Sequence, residues 1–92
     1  MNIQHKQTES NGEFFLLDQN GDKVAELTYF FVDEQTINAN HTYVSETLRG
    51  QGVADQLYRE LVNFVRDKKL KLIPTCSYIV KKWQRENKSQ SV

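Results

Sequence analysis

The sequence predicts an α+β domain in which an antiparallel β-meander is followed by a βαβ unit and a C-terminal helix. Three observations predict this class. Segments with strand-like patterns and tight turns fill the first half of the chain. The hydrophobic period lengthens to that of a helix at Gly52, and a short apolar segment closed by Pro74 follows that helix. A length of 92 residues leaves room for one domain, so we expect residues 1–92 to form a single unit.

The first half of the chain is typical of strands joined by short turns. Residues 13–18 centre on four consecutive apolar side chains, and residues 23–32 carry apolar groups on both faces, which is typical of a central strand. Between them, residues 20–22 (Asn-Gly-Asp) tolerate the positive φ angles that a hairpin requires. A third strand is predicted over residues 36–44, which completes the meander.

Strict alternation along the third strand divides its side chains between the two faces of the sheet. On this pattern, His41 is expected to share a face with Ile37. The two predicted sets are Ile37, Ala39, His41 and Tyr43 on one face, and Asn38, Asn40, Thr42 and Val44 on the other.

An amphipathic helix is predicted over residues 52–69. Charged and amide side chains lie on one side of this helix, and an apolar stripe lies on the other. The residues that recur at every fourth position of the stripe are Val53, Leu57, Leu61 and Val65.

A strand and a second helix are predicted after the long helix. Residues 70–73 are expected to form a strand parallel to the third one, because a strand, a crossover helix and a strand usually lie parallel in one sheet with a right-handed connection. Ser77 is expected to cap a final helix, in which Trp83 belongs to the core. Residues 85–92 are polar and are expected to fray.

Charge and composition argue against several classes of function. Twelve basic and twelve acidic residues give a net charge of zero, so the chain lacks the basic surface that binding to a nucleic-acid backbone requires. No apolar run reaches the ~20 residues that span a bilayer, so we expect no membrane association and a cytoplasmic location. Cys76 is the only cysteine, and no disulfide or zinc-binding spacing can be written with it.

The segment between the third strand and the long helix, residues 49–54 (Arg-Gly-Gln-Gly-Val-Ala), is the main candidate for a binding site. Its glycines let the backbone approach a ligand closely, and the first amides of the helix have no intrahelical acceptor. Such amides, assisted by the helix dipole, can bind a pyrophosphate. The segment is neither a Walker motif nor a dinucleotide fingerprint. On spacing alone, a plain turn from loop to helix is the alternative.

The same segment resembles the Arg/Gln-x-x-Gly-x-Gly/Ala signature of the GNAT N-acetyltransferases. Residues 41–44 (His-Thr-Tyr-Val) and residues 74–78 (Pro-Thr-Cys-Ser-Tyr) are similar to the short proteins of that superfamily. The resemblance covers roughly residues 39–83. It implies a truncated GNAT-like fold and acetyl-CoA as the cofactor.

The resemblance also implies which residues hold the cofactor. In the superfamily, the amides of the signature bind the pyrophosphate, and the end of the preceding strand hydrogen-bonds the pantetheine arm. The splay between that strand and the next one admits the thioester. Carried onto this sequence, the predicted cofactor-binding residues are Thr42, Tyr43, Val44, Arg49, Gly50, Gln51, Gly52, Val53 and Ala54.

The sequence departs from the larger members of the superfamily in three ways. Glu46 stands where proline is frequent. The final strands and the helices after the first strand, which build the acceptor side in the superfamily, are absent from the predicted order of elements. Trp83 falls near the tyrosine that protonates the departing thiolate in the superfamily, and an indole cannot act as that acid.

Three residues are candidates for chemistry. Cys76 precedes a helix start, which can lower the pKa of a thiol, and could take up and pass on an acetyl group; the alternative is a small buried hydrophobe. His41 could act as a base, or be a structural histidine. Tyr78 could donate its hydroxyl to the thioester or to the departing sulfur, or simply pack against the long helix.

Two functions from different classes follow. The leading hypothesis is an acetyl-CoA-binding acyltransferase that acts on a small-molecule acceptor of unknown identity, either directly or through Cys76. The rival is a module that binds or senses CoA without catalysis, and the absent acceptor-side elements favour it. A small interaction protein whose glycine turn binds nothing is a third alternative. No residue pattern predicts a particular oligomeric state.

Overall fold

The computed structural model describes residues 2–86, which form a five-stranded sheet and two α-helices. Strands β1–β4 are antiparallel neighbours in sequence order, and β5 lies parallel to β4 at the edge of the sheet. A short 3-10 helix, Glu46–Leu48, precedes α1. The α+β class and the parallel βαβ unit are therefore confirmed. The elements in chain order are β1 (Gln4–Gln7), β2 (Asn11–Leu17), β3 (Lys23–Asp33), β4 (Thr36–Val44), α1 (Val53–Asp67), β5 (Lys71–Pro74) and α2 (Ser77–Glu86).

Both helices pack on the same face of the sheet. The predicted apolar stripe of α1 is buried against β2, β3 and β4, and Ile79 of α2 joins the same core. No helix within residues 2–86 covers the opposite face, which we call the outer face. Its members in the middle of the sheet are Glu13, Glu26, Thr28, His41 and Tyr43.

Neither α1 nor α2 has the length and apolar character that a membrane crossing needs.

Strand β1 corrects the sequence analysis, which predicts no strand at the start of the chain. All four side chains of Gln4–Gln7 are exposed, so no alternation of buried and exposed residues marks the strand in the sequence. His5 anchors it, because its ring stacks on Phe14 at 4.2 Å and its Nε2 lies 2.6 Å from the Tyr29 hydroxyl. Gly12 makes room for that phenol, since a Cβ at Gly12 would lie 2.3 Å from the hydroxyl oxygen.

Helix α1 ends at a residue in the left-handed conformation. Lys69 has a φ of 56°, and its amide donates to the carbonyl of Arg66 at 3.2 Å. The amide of Leu70 donates to the carbonyl of Val65 at 2.8 Å. These two bonds form a Schellman motif, which usually has glycine at the left-handed position. The helix therefore ends at Asp67, slightly earlier than predicted, because the chain turns there towards β5.

A β-bulge at Asn40 interrupts the alternation predicted for β4. Ala39 pairs with Tyr29, and His41 pairs with the preceding residue of β3, Thr28. Asn40 is therefore an extra residue with no partner of its own, and its Oδ1 accepts a hydrogen bond from the Thr28 hydroxyl at 2.8 Å. The faces of all later residues of β4 are exchanged as a result.

The exchange changes the location of the candidate residues. Thr42 and Val44 lie opposite two fully buried residues of β3 and so face the helices. His41 and Tyr43 lie on the outer face. The prediction that His41 shares a face with Ile37 is therefore wrong, because alternation from a sequence cannot show an inserted residue.

Cys76, and not Ser77, occupies the N-cap of α2. The carbonyl of Cys76 accepts the first helical hydrogen bond, from the amide of Val80 at 2.9 Å. Ser77 is consequently the first residue of the helix. The helix also includes the first two residues of the polar tail predicted over residues 85–92, and the rest of that tail lies outside the described residues.

Candidate functional site

The loop before α1 presents backbone amides without acceptors. Gly50 and Gly52 have left-handed φ angles of 82° and 77°, which glycine adopts without steric cost. A Cβ on either residue would meet nothing within 4 Å, so the backbone conformation and not crowding requires glycine here. Among residues 2–86, no acceptor is found for the amides of Gly50, Gly52, Val53 and Ala54. These amides are available to an anion.

Two side chains of the glycine loop form hydrogen bonds that stabilise its conformation. Arg49 Nε donates to the carbonyl of Val44 at 3.3 Å, and Gln51 Nε2 donates to the carbonyl of Thr47 at 3.1 Å. The first bond holds the loop against the end of β4, and the second closes the loop on itself. Arg49 and Gln51, both predicted to contact the cofactor, therefore also keep the loop in shape.

A cleft of about 170 Å³ extends from this loop to α2. Most of its lining residues are predicted site residues, so the fold brings the glycine loop, the end of β4 and Tyr78 together. The lining residues are Val44, Leu48, Arg49, Gly50, Gly52, Val53, Ala54, Asp55 and Tyr78.

Ion pairs beside this cleft were not predicted from the sequence. Asp55, in the first turn of α1, contacts the ammonium of Lys82 on α2 and lies 2.8 Å from Nε of Arg59. The Lys82 ammonium also lies over the ring of Tyr58, 5.6 Å from its centroid. The hydrogen bond from Lys82, and after it that from Arg59, holds the pKa of Asp55 below its ordinary value. The carboxylate is thus charged but neutralised, whereas an unpaired one would repel an anion at the free amides.

Strands β4 and β5 separate after a few residues. Their last pair is Ala39 with Pro74. The carbonyl of Ala39 then accepts the amides of Thr75 and Cys76, at 3.0 and 3.2 Å, and the chain turns into α2. Residues 40–44 of β4 consequently have no paired strand on the side of β5, and we call this unpaired edge the gap. This gap is the splay that the family resemblance implies.

Cys76 lies at the mouth of this gap. Its thiol donates to Oγ1 of Thr42 at 3.5 Å, and the amides of Ile79 and Tyr78 donate to the sulfur. Burial alone would raise the pKa of the thiol, but these hydrogen bonds outweigh burial, and the pKa lies below its ordinary value. The N-cap position aims the helix amides at the sulfur, and the Asn40 bulge turns Thr42 towards it. The site therefore increases the fraction of the thiolate, which is the nucleophilic form, relative to an ordinary cysteine.

Tyr78 borders the cleft from the side of α2. Burial, the largest influence, raises the pKa of its hydroxyl above the ordinary value. The phenol therefore keeps its proton at neutral pH, and it can act as a hydrogen-bond or proton donor.

His41 lies on the other side of the sheet from Cys76. Its Nε2 is 3.3 Å from Oε2 of Glu26, and its side chain is 53% exposed. Tyr43 is likewise exposed on the outer face, so only its backbone borders the gap. The structure thus places Cys76 and Tyr78 together and separates His41 from them. The sequence analysis did not single out Glu26, although its carboxylate stands among mostly apolar residues of a central strand.

Comparisons with known proteins bear on this site. A family model described as GCN5-related N-acetyl-transferase matches residues 13–92. Protein NATD1 of Xenopus tropicalis is 38% identical over 63 residues, which cover 68% of this chain and 57% of that protein. Protein NATD1 of Homo sapiens is 36% identical over 63 residues, which cover 68% of this chain and 55% of that protein. The chain therefore spans little more than half the length of these curated relatives.

Solved structures show the same fold. The NMR solution structure of a GCN5-like protein from Staphylococcus aureus has a TM-score of 0.71 and 38% identity, and the match covers 99% of this chain and 87% of that one. A crystal structure of a GNAT family acetyltransferase from Elizabethkingia anophelis, with acetyl-CoA bound, has a TM-score of 0.63 and 17% identity over 84% of this chain and 53% of that one. At that identity the second match shows the fold alone. The family match over most of the sequence and the shared fold agree with the glycine loop and the splayed strands: the chain belongs to the GCN5-related N-acetyltransferase family.

Proposed function

We propose that this protein binds acetyl-CoA and transfers its acetyl group to a small-molecule amine, with Cys76 as the residue that first takes up the acetyl group. The observation that carries the proposal is the position of Cys76. Its sulfur lies at the mouth of the β4–β5 gap, within hydrogen-bonding distance of Thr42 and of the helix amides that favour a thiolate.

The glycine loop is the proposed site of the diphosphate. The amides of Gly50, Gly52, Val53 and Ala54 have no acceptor among residues 2–86, and the dipole of α1 adds about 0.3–1 kcal/mol for each favourable interaction with an anion. The pairing of Asp55 with Lys82 and Arg59 supports this assignment, because it removes the charge that would oppose the ligand.

The gap between β4 and β5 is the proposed site of the pantetheine arm and the thioester. The backbone of residues 42–44 borders the gap and can hydrogen-bond the amides of the arm, as the family resemblance implies. Thr42, Tyr43 and Val44 contribute through their main-chain atoms in this proposal, while the Thr42 side chain contacts Cys76.

The first chemical step is a thioester exchange. The Cys76 thiolate attacks the carbonyl carbon of acetyl-CoA, a new S–C bond forms, and the bond from that carbon to the sulfur of CoA breaks. CoA leaves as a thiolate and takes a proton. Tyr78 is the proposed donor, because its hydroxyl stays protonated at neutral pH and Tyr78 borders the cleft at the glycine loop.

A second candidate function is a module that binds or senses CoA without catalysis. The outer face favours it, because no helix within residues 2–86 covers that face to form a closed acceptor pocket. In this case Cys76 would not become acetylated.

Two measurements separate these functions. Addition of CoA to ¹⁵N-labelled protein should shift the amide signals of residues 50–54 saturably. Intact mass after incubation with acetyl-CoA should show one acetyl group on the wild type and none on Cys76→Ala. If the amide signals do not shift, both proposed functions are wrong. If they shift but neither an acetyl adduct nor CoA release is detected, the result supports the non-catalytic module.

A further inference from the structure

The Thr75 hydroxyl connects the turn between β5 and α2 to β4. It donates to Oδ1 of Asn38 at 2.7 Å, and the carbonyl oxygen of Ala39 lies 3.4 Å from the same hydroxyl. A hydroxyl has one proton to donate, so the shorter contact is the main hydrogen bond. Asn38 and Ala39 belong to the last two residue pairs of β4 and β5. The bond is therefore made where the two strands separate.

The backbone hydrogen bonds of this turn share a single acceptor. The amides of Thr75 and Cys76 both donate to the carbonyl of Ala39, at 3.0 and 3.2 Å. Two bonds to one oxygen fix the distance of the turn from β4, but they restrict its tilt about that oxygen less than two separate acceptors would. The bond from Thr75 to Asn38 supplies a second acceptor on β4 and so limits this tilt.

The contacts of Thr75 and Cys76 lie on opposite sides of the sheet. Asn38 stands between two fully buried residues of β4, Ile37 and Ala39, so its side chain is on the outer face. The Cys76 thiol instead contacts Thr42, which faces the helices. A tilt of the turn that follows loss of the outer contact would therefore move the sulfur relative to Thr42.

We propose that Thr75 and Asn38 are positioning residues for Cys76: their hydrogen bond holds the thiol against Thr42 in the orientation from which it attacks acetyl-CoA. This inference rests on the proposed function and adds two residues whose contact lies on the face of the sheet opposite the thiol. Two observations carry it: the 2.7 Å bond, and the position of this bond and of the Cys76–Thr42 contact on either side of one shared carbonyl.

The hydrogen bonds of the thiol involve two different elements. The amides of Tyr78 and Ile79 belong to α2 and move together with Cys76, whereas Thr42 belongs to β4. A tilt of the turn therefore changes the position of the sulfur relative to Thr42 and to the gap, while the helix amides continue to donate to it. Because a misplacement of about 1 Å can lower a reaction rate about 100-fold, a small tilt is enough to slow the attack.

The test follows acetylation of Cys76 by acetyl-CoA at neutral pH, measured as intact mass against time. Thr75→Val removes the hydroxyl at nearly constant side-chain size, and we expect the rate to fall about tenfold. Asn38→Ala removes the acceptor of the same bond and should have a similar effect. Thr75→Ser keeps the hydroxyl and should react at close to the wild-type rate. Calorimetry should give the wild-type affinity for CoA in all three variants, because none of them changes the glycine loop.

A double-mutant cycle shows whether Thr75 acts through the contact between Cys76 and Thr42. If it does, Thr75→Val should slow acetylation much less in a Thr42→Val protein than in the wild type. If the two effects instead multiply, Thr75 has an independent structural role and the inference is wrong.

Thr28→Val is the matched control for these variants. It also removes a threonine hydroxyl that donates to an asparagine of β4, Asn40, at 2.8 Å. That bond joins β3 to β4 and does not reach the turn before α2. We therefore expect the wild-type rate of acetylation, and a loss equal to that of Thr75→Val would contradict a specific role of the Thr75 bond.

Alkylation by iodoacetamide separates failure of this inference from failure of the proposed function, because it requires the thiol but not CoA. A wild type that is alkylated but never acetylated at saturating acetyl-CoA would remove the proposed function. In either case, Thr75→Val should move the midpoint of the alkylation rate to higher pH, as Thr42→Val does, because the sulfur loses its bond to Thr42. An unchanged midpoint, or undiminished acetylation in Thr75→Val when the wild type is acetylated, overturns the inference.

Discussion

The sulfur of Cys76 lies 3.5 Å from the hydroxyl oxygen of Thr42, and this contact joins the start of α2 to the unpaired edge of β4. It depends on two local features. The N-cap position directs helix amides at the sulfur, and the bulge at Asn40 turns the Thr42 side chain to the side of the sheet on which Cys76 lies.

Replacing Thr42 with valine tests how far this contact activates the thiol. The substitution removes a hydrogen bond that lowers the pKa of Cys76, so the pKa should rise. The fraction of thiolate at neutral pH should fall, and the midpoint of the alkylation rate against pH should move to higher pH. Alkylation by iodoacetamide, followed by mass spectrometry, measures both. Thr28→Val, the same change on the outer face, should leave the profile in place; equal profiles for the wild type and Thr42→Val would contradict the assignment.

Replacing Gly52 with alanine tests the loop conformation. An alanine in the left-handed conformation costs about 1–2 kcal/mol, so the loop should relax away from the geometry that presents its amides. We expect at least tenfold weaker binding of CoA by calorimetry.

Gly21→Ala is the matched control for that change. Gly21 also has a left-handed φ, of 83°, with nothing within 4 Å of its Cβ position. It lies in the turn between β2 and β3, away from the cleft. Both variants should lose similar stability in urea unfolding, but only Gly52→Ala should lose affinity for CoA; equal affinities would show that the loop does not hold the ligand.

Lys82→Met tests the neutralisation of Asp55. The change keeps the packing of the aliphatic stem and leaves the carboxylate paired with Arg59 only. We expect weaker binding of CoA and a loss of about 0.5–1 kcal/mol in the free energy of unfolding. Lys81→Met, on the exposed neighbour, should have neither effect.

The pH dependence of this stability loss has a definite sign. The folded-state pKa of Asp55 is lowered, chiefly by Lys82, so its pairing stabilises the fold above the unfolded pKa of about 3.9. That contribution is lost as the pH falls through the folded pKa. The difference between the wild type and Lys82→Met in urea unfolding should thus be present at neutral pH and shrink in acid. A difference that persists in acid would mean that Lys82 stabilises through its packing or its contact with the Tyr58 ring, and not through Asp55.

Lys69→Gly should stabilise the protein. Lys69 holds the left-handed position of the Schellman motif at a φ of 56°, where a side chain carries a steric cost that glycine avoids. The gain should be about 0.5–1 kcal/mol, less whatever glycine adds to the entropy of the unfolded chain. Lys68→Gly, one residue earlier at a φ of −93°, should instead destabilise. Thermal melts of both variants measure the change in Tm relative to the wild type. A change of the same sign in both variants would contradict this explanation.

The parts of the fold with a strong local signal could be predicted from the sequence. The apolar stripe of α1 and the Asn-Gly turn report directly on backbone geometry, and both are found as predicted. Strand β1 carries no such signal, because its four side chains are exposed and its stability comes from the contacts of His5 with Phe14 and Tyr29, which are distant in sequence.

The candidate site could be predicted only in part, for a similar reason. The glycine loop and Cys76 stand out as residue types in a recognisable order. The bulge does not, because Asn40 differs from its neighbours only in lacking a partner on β3. The pairing of Lys82 with Asp55 and that of His41 with Glu26 depend on how elements pack, which no pattern within a single element reveals.

Because Asn40 has no partner on β3, the number of residues between Asn40 and Val44 decides which face of the sheet each side chain occupies, whatever the residues are. Adding or removing one residue between Asn40 and Val44 would swap the solvent-side and thiol-side groups of the strand, whereas a change of two would restore their orientation. This segment should therefore tolerate substitutions more readily than insertions or deletions of a single residue. When related chains are compared, the first question is whether the length of this segment differs by an odd or an even number of residues.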